Sequence, residues 1–225
     1  MIVYGKQIFF YILKRHLNLI KKIYLSKRVD GKIFGSLKKL NVPILNIDNK
    51  KAQSLSRGGN HQGFLVEIED FKFSNKDILK DAKFVVLLYG VTDIGNIGSI
   101  IRTSYALGVD ALVISNVKQI RAEGFIRTSS GAALDLPIVL YPNGYDILNE
   151  LKMDGFTVYA TSFDGVDVRG MSFDEKKVLV LGSEGEGLPN KLCKKSNYLV
   201  KIQMQRDFDS LNVSAAAAIL IDRMR

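Results

Sequence analysis

The hydrophobic pattern of this chain changes character near residue 75. Before that point, apolar positions come in short alternating or helical groups; after it, they come in continuous runs separated by helical stretches. In the first third, Gln7–His16 has the spacing of a short amphipathic helix, and Lys22–Ser26 alternates around Ile23 and Leu25. Ile33–Leu40 is helical, with Lys38 and Lys39 facing solvent, until Pro43 breaks the pattern. Ile44–Ile47 reads as a strand, residues 48–56 as one more helix and Phe64–Ile68 as a strand. Together these describe a small α/β unit. Between its last two elements lies Arg57–Gly63 (RGGNHQG), where glycines serve either a close backbone approach or a plain turn. Residues 69–82 are charged, lack a clear apolar face and read as a linker with at most one helical turn.

The remainder alternates strand and helix. Phe84–Val91 and Val178–Leu181 are continuous apolar runs of the kind buried on both faces of a parallel sheet. Ala111–Ser115, Ile138–Leu140, Thr157–Thr161 and Tyr198–Ile202 are the other strands. Helices are expected at Asn96–Leu107, residues 121–129, Tyr145–Met153, Leu188–Lys194 and Ser210–Met224. The last of these carries a four-alanine run suited to close packing, and Ser210 is its expected N-cap. Such alternation implies an α/β fold: a parallel sheet with helices on both faces, and ligands at the carboxyl ends of the strands.

Charge sharpens the division. Residues 1–80 hold 16 Lys/Arg against 6 Asp/Glu, whereas the rest of the chain holds 16 against 17. The whole excess of +9 therefore falls in the first third, which points to a polyanionic partner or to a merely solvated basic surface. The 225 residues, 47% of them apolar, suffice for one large or two small units. No 18-residue uncharged apolar run exists, and the N-terminus is apolar early and basic late, the reverse of a signal peptide. Cys193 is the only cysteine, and His16 and His61 are the only histidines. Neither a disulfide nor a thiolate or histidine metal site is expected, and a reducing cytoplasm fits.

Three loops stand where strands end. Thr92–Thr103 has the form of a strand–glycine loop–helix phosphate site, yet it is neither GxGxxG nor a P-loop. Within it Asn96 sits near the helix start, and Arg102 is either a salt-bridge partner or a phosphate clamp. Gly182–Pro189 holds three glycines in six residues around Glu184, a carboxylate able to receive or orient a proton. The third loop, Ile202–Asn212, leads into the alanine-rich helix.

These loops carry a resemblance. N-x-G-x-x-x-R-T (Asn96 to Thr103), L-G-S-E-G-x-G-L (Leu181 to Leu188) and S-L-N-V-S-x-A (Ser210 to Ala216) resemble, in order and spacing, the three motifs of the SpoU/TrmH (SPOUT) RNA ribose 2′-O-methyltransferases. Ser130-Gly131-Ala132-Ala133 and Leu136-Pro137 resemble a further segment of that family. Val3-Tyr4-Gly5 and Gly58-Gly59-x-His61-Gln62-Gly63 are similar to its N-terminal L30e-like RNA-binding domain, typical of the subgroup that modifies a guanosine in 23S rRNA.

The resemblance implies an RNA-binding domain at 1–70, a linker at 71–82 and a methyltransferase domain with a C-terminal trefoil knot at 83–225. It implies S-adenosylmethionine as methyl donor, ribosomal RNA as partner and a homodimer that shares the active site. Asn96, Arg102, Glu184, Ser210 and Asn212 match the catalytic and substrate-positioning residues, and Gly182, Ile202 and Leu211 the cofactor contacts. Arg57, Gly59, His61 and Gln62, with Lys38 and Lys39, are the expected RNA contacts. Two departures stand in the third loop: Gln203 replaces a usual proline, and Arg206 stands where a small residue is expected. The rival readings are a tRNA ribose methyltransferase, whose branch usually lacks the N-terminal domain, and a non-catalytic RNA-binding or ribosome-assembly protein.

Overall fold

The computed structural model describes residues 1–207 and 210–225; of the third loop, Ile202–Asn212, Phe208 and Asp209 lie outside the described residues. The first third forms a four-stranded sheet from β1 (Ile2–Tyr4), β2 (Ile20–Leu25), β3 (Ile44–Asn46) and β4 (Phe64–Ile68), in the order β1-β4-β2-β3. β4 runs antiparallel to both its neighbours, and β2 and β3 are parallel. Its helices are α1 (Lys6–Arg15), α2 (Gly31–Lys38) and α3 (Asn49–Leu55), the last two capped by Asp30 and Asp48. Strand β1 was not legible by periodicity, because three residues are too few to show alternation.

The second sheet is fully parallel, in the order β10-β8-β9-β5-β6-β7. Its elements in chain order are β5 (Phe84–Tyr89), α4 (Ile94–Ala106), β6 (Ala111–Ser115), α5 (Ala122–Thr128), β7 (Ile138–Tyr141) and α6 (Gly144–Met153). Then come β8 (Thr157–Asp167), β9 (Lys177–Gly182), α7 (Asn190–Lys195), β10 (Tyr198–Lys201) and α8 (Val213–Met224). The central strand is buried on both faces: Val86 and Leu88 join the core beneath α4, α5 and α8, whereas Val85 and Leu87 join the core beneath α6 and α7. From β5 the chain moves outward one way to β6 and β7. It then crosses to the other side for β8, β9 and β10, so the order reverses between β5 and β9. A crevice opens at the carboxyl ends of strands at such a reversal.

Strand β8 is longer than expected. It pairs with β10 at Leu199↔Ala160 and resumes at Val200↔Val166, with residues 161–165 looped out between. Gly165 tolerates no side chain there, since a Cβ would lie 2.5 Å from the Val200 backbone.

The connection between the sheets holds one short helical turn and packs against the second sheet's elements. Phe71 and Phe73 meet Phe125 of α5 at centroid distances of 5.4 and 6.3 Å, Ser74 N–H donates to the Ile138 carbonyl, and Leu79 is buried in a 3-10 turn at Lys76–Asp81. One apolar cluster runs from Ile8, Phe9 and Ile12 through to Ile97 and Ile100, so the two sheets share a core. The packing of Phe71 and Phe73 was not legible in the sequence, because isolated phenylalanines give no periodic signal in a charged stretch.

Candidate active site

Three of the five residues expected to act meet at the reversal of the sheet. Asp93 caps α4 by accepting the Asn96 N–H at 2.7 Å, which turns the Asn96 side chain toward the β9 loop. There Asn96 Nδ2 donates to Glu184 Oε1 at 3.0 Å. Asn212 Nδ2 donates to the same oxygen at 2.5 Å and to Asn96 Oδ1 at 2.9 Å. The Val213 N–H, at the first turn of α8, adds a third donor to Glu184 Oε1 at 3.2 Å. The carboxylate thus faces a helix N-terminus, where the dipole favours negative charge. Its second oxygen, Oε2, carries none of these bonds.

The helix start lies two residues later than expected. Asn212, not Ser210, is the N-cap of α8, with Oδ1 accepting Ser214 N–H at 2.9 Å and Ser214 Oγ–H at 2.6 Å. That bond also fixes the amide: with Oδ1 on the helix, Nδ2 must face Glu184. Ser210 is exposed and lies two residues before Asn212, outside this arrangement.

Gly182 ends β9. Its glycine is required by the loop itself: a Cβ would sit 2.4 Å from the Gly187 carbonyl carbon and 2.8 Å from Leu188 N. The loop folds back as a tight hairpin in which Gly187 N–H donates to the Ser183 carbonyl at 2.9 Å. Glu184, at its tip, is held toward α4 and α8, whereas Glu186 lines a cleft of about 500 Å³ on the α6 face with Tyr89, Asn116 and Ser183. A smaller cleft of about 290 Å³, between Lys76–Asp81 and α6, lies at the opposite ends of the strands.

Ile202 and Leu211 are half-buried, and Ile202 packs on the main core. At the proline-to-glutamine departure the Gln203 backbone N–H faces the Asp167 carboxyl, which Arg169 holds below the usual carboxylate range, with only a minor share from this N–H. Arg206 is exposed.

Arg102 is not part of the Glu184 cluster. Six residues along α4 from Asn96 it projects from another face, and its Nη1 donates to Ser130 Oγ at 3.5 Å. Among the expected RNA contacts, Lys38, Lys39, Arg57 and Gln62 are exposed. His61 is a correction: only 6% exposed, it braces the loop by accepting the Gly63 N–H on Nδ1 at 3.0 Å. Gly59 is pressed against the Tyr4 ring, and Gln62 Oε1 accepts the Lys6 N–H at the start of α1. The glycine-rich loop is therefore built largely to close against β1 and α1. Cys193 is half-buried, and burial pushes its thiol up, away from thiolate chemistry. Neither Asp93 nor Ser130 has a role legible from the motifs alone; a capping residue three positions before Asn96 is the available signal for Asp93.

Comparison with known proteins agrees with this geometry. Residues 83–222 match the SpoU rRNA Methylase family, and residues 2–74 match a family described as RNA 2'-O ribose methyltransferase substrate binding. A relative described as an uncharacterized tRNA/rRNA methyltransferase of Borreliella burgdorferi is 28% identical over 88% of this chain and 94% of its own length. A putative TrmH family tRNA/rRNA methyltransferase of Staphylococcus epidermidis is 31% identical over 72% of this chain and 68% of its own. The structure of an AdoMet-bound rRNA methyltransferase from Sinorhizobium meliloti superposes with a TM-score of 0.79 at 25% identity, covering 99% of this chain and 85% of that one. With the three motifs brought to one end of a parallel sheet and a family match across more than half its length, this chain belongs to the SpoU rRNA methylase family.

Proposed function

We propose that this chain transfers a methyl group from S-adenosylmethionine to the ribose 2′-hydroxyl of a guanosine in 23S rRNA, and that it acts in the cytoplasm as a homodimer. The observation that carries the reading is the Asn96–Glu184–Asn212 cluster, which joins α4, the β9 hairpin and α8 through one carboxylate oxygen. The residues suit the cofactor. Gly185 offers open backbone, Ile202 and Leu211 offer half-buried apolar surface, and Glu184 offers negative charge toward a sulfonium. Gly182, Ile202 and Leu211 would hold it, and when bound it supplies a methyl group already activated for transfer.

The chain's own work is then orientation and proton handling. A ribose hydroxyl is a poor nucleophile until aligned and deprotonated. Asn96, Asn212 and Ser210 position groups by hydrogen bonding, and Glu184 anchors them. Arg102 is exposed, and its guanidinium fork suits a phosphate, so it serves first as a phosphate clamp. Residues 1–70, with Lys38, Lys39 and Arg57 exposed, select the RNA. The reading includes the trefoil knot, favoured by β10 lying beside β8 while α8 returns to pack on α4 and β9. It includes a dimer face on α8, where Ala215 and Ile219 point outward. The ribosomal substrate is preferred over tRNA because the substrate-binding match fills residues 2–74. Incubation with labelled S-adenosylmethionine and each RNA in turn tests this. A 2′-O-methyl product on rRNA supports the reading, a product on tRNA alone shifts the substrate, and RNA binding without cofactor binding makes the chain a binding module.

A further inference from the structure

Helix α1 has two working faces. Ile8, Phe9 and Ile12 are buried in the shared core. Gln7, Tyr11 and Arg15, spaced four apart and so aligned on one stripe, lie instead against the turn at residues 130–135 of the second sheet. Asp135 gathers that stripe: it accepts from the Tyr11 hydroxyl, from Arg15 Nη2 at 3.2 Å and meets His16 Nε2 at 3.2 Å. The Tyr11 ring closes over Gly131, whose φ is 98° and where a Cβ would lie 2.5 Å from the ring. The turn is thereby held from outside, and Ser130 within it adopts a φ of 57°.

This places Ser130 Oγ between Gln7 and Arg102. The hydroxyl donates to Gln7 Oε1 at 3.3 Å and accepts from Arg102 Nη1 at 3.5 Å. Gln7 thus commits the hydroxyl hydrogen to itself and leaves the oxygen lone pair for the guanidinium. We propose that Gln7 and Ser130 are positioning residues for Arg102, so that methyl transfer depends on the seating of α1 on the 130–135 turn. The inference rests on the function proposed above and adds that the RNA-binding part of the chain orients an active-site arginine through two neutral side chains.

The test is steady-state methylation of RNA by the full-length chain. Gln7 is exposed, so Gln7→Met removes the acceptor at nearly constant size. Ser130→Gly removes the hydroxyl and tolerates the positive φ. Each leaves the clamp's charge in place but lets the clamped ribose sit out of line, so kcat is expected to fall about 3–10-fold, the worth of one hydrogen bond, with KM for RNA unchanged within about twofold. Gln7→Glu keeps the acceptor and should restore kcat. In an Arg102→Lys background, Gln7→Met should have no further effect. A change in KM alone, a Gln7→Glu variant no better than Gln7→Met, or an effect that persists beside Arg102→Lys would overturn the inference while the function stands. A wild-type chain inactive on both RNAs would overturn the function itself and this inference with it.

Discussion

Replacing Asn212 separates the two jobs that its side chain performs. Through Oδ1 it caps α8, and through Nδ2 it ties Asn96 to Glu184. Loss of a good N-cap costs about 1 kcal/mol. Loss of the two amide bonds, both at an exposed site, costs about 1 kcal/mol together. Asn212→Ala should therefore destabilise by about 2 kcal/mol, which lowers Tm by about 4–8 °C in a chain of this size. Asn212→Ser keeps an oxygen for the cap and loses only the bridge, so its Tm should fall by about half as much. Activity should not follow stability: both variants leave α8 without its side-chain ties to Asn96 and Glu184, and both should lose about 10–100-fold in methyl transfer. Thermal unfolding and a labelled-methyl assay on the same preparations read the two effects. A serine variant with wild-type activity would refute the bridging role, and equal Tm values for serine and alanine would refute the cap.

Gly182→Ala forces a Cβ onto the Gly187–Leu188 backbone, which cannot yield as a side chain would; a cost of about 1–3 kcal/mol and loss of cofactor binding by calorimetry are expected. Burial pushes the Asp135 carboxyl up, but its bonds from Tyr11, His16 and Arg15 outweigh that and hold it below its usual value. Its stabilising share is therefore complete above about pH 4 and is lost as pH falls through the depressed value, so Asp135→Asn should destabilise by about 1–3 kcal/mol at pH 7 and by progressively less in acid unfolding experiments below about pH 4. Lys38→Ser with Lys39→Ser should weaken RNA binding and flatten its dependence on log salt by about 1.4–1.8 units, read by titration at several salt concentrations; an unchanged slope would remove both from the RNA face. Substitutions serve better here than truncation of residues 1–70, because Ile8, Phe9 and Ile12 belong to the core shared with the second sheet.

The parts of this fold that were legible are those with a strong local signal. Phe84–Tyr89 is apolar throughout because it is the central strand, and the strand–helix alternation after it announces the parallel sheet. What stayed hidden depends on distant backbone. The second half of β8, Ser162 to Asp167, mixes polar and apolar residues without a simple period, since five residues loop out and only Val166 and Asp167 rejoin β10. Ser210 and Asn212 are both good capping residues, and only the position of α8 against Glu184 decides for Asn212. The motifs named Asn96, Glu184 and Asn212 separately; that they share one carboxylate oxygen follows from the strand order. Conversely, His61 looked like a polar contact in a glycine-rich loop, and its burial follows from the tight turn that its own ring nitrogen closes onto Gly63.

The account stands most directly on where the methyl group goes. Purified chain, labelled S-adenosylmethionine and ribosomal RNA, followed by nuclease digestion and nucleoside mapping, give the answer. The account predicts a single 2′-O-methylated nucleotide, a guanosine, formed by the wild type and reduced about 10–100-fold by Asn212→Ala. A methyl group on a base, or no methylated nucleotide in ribosomal or transfer RNA, would contradict it.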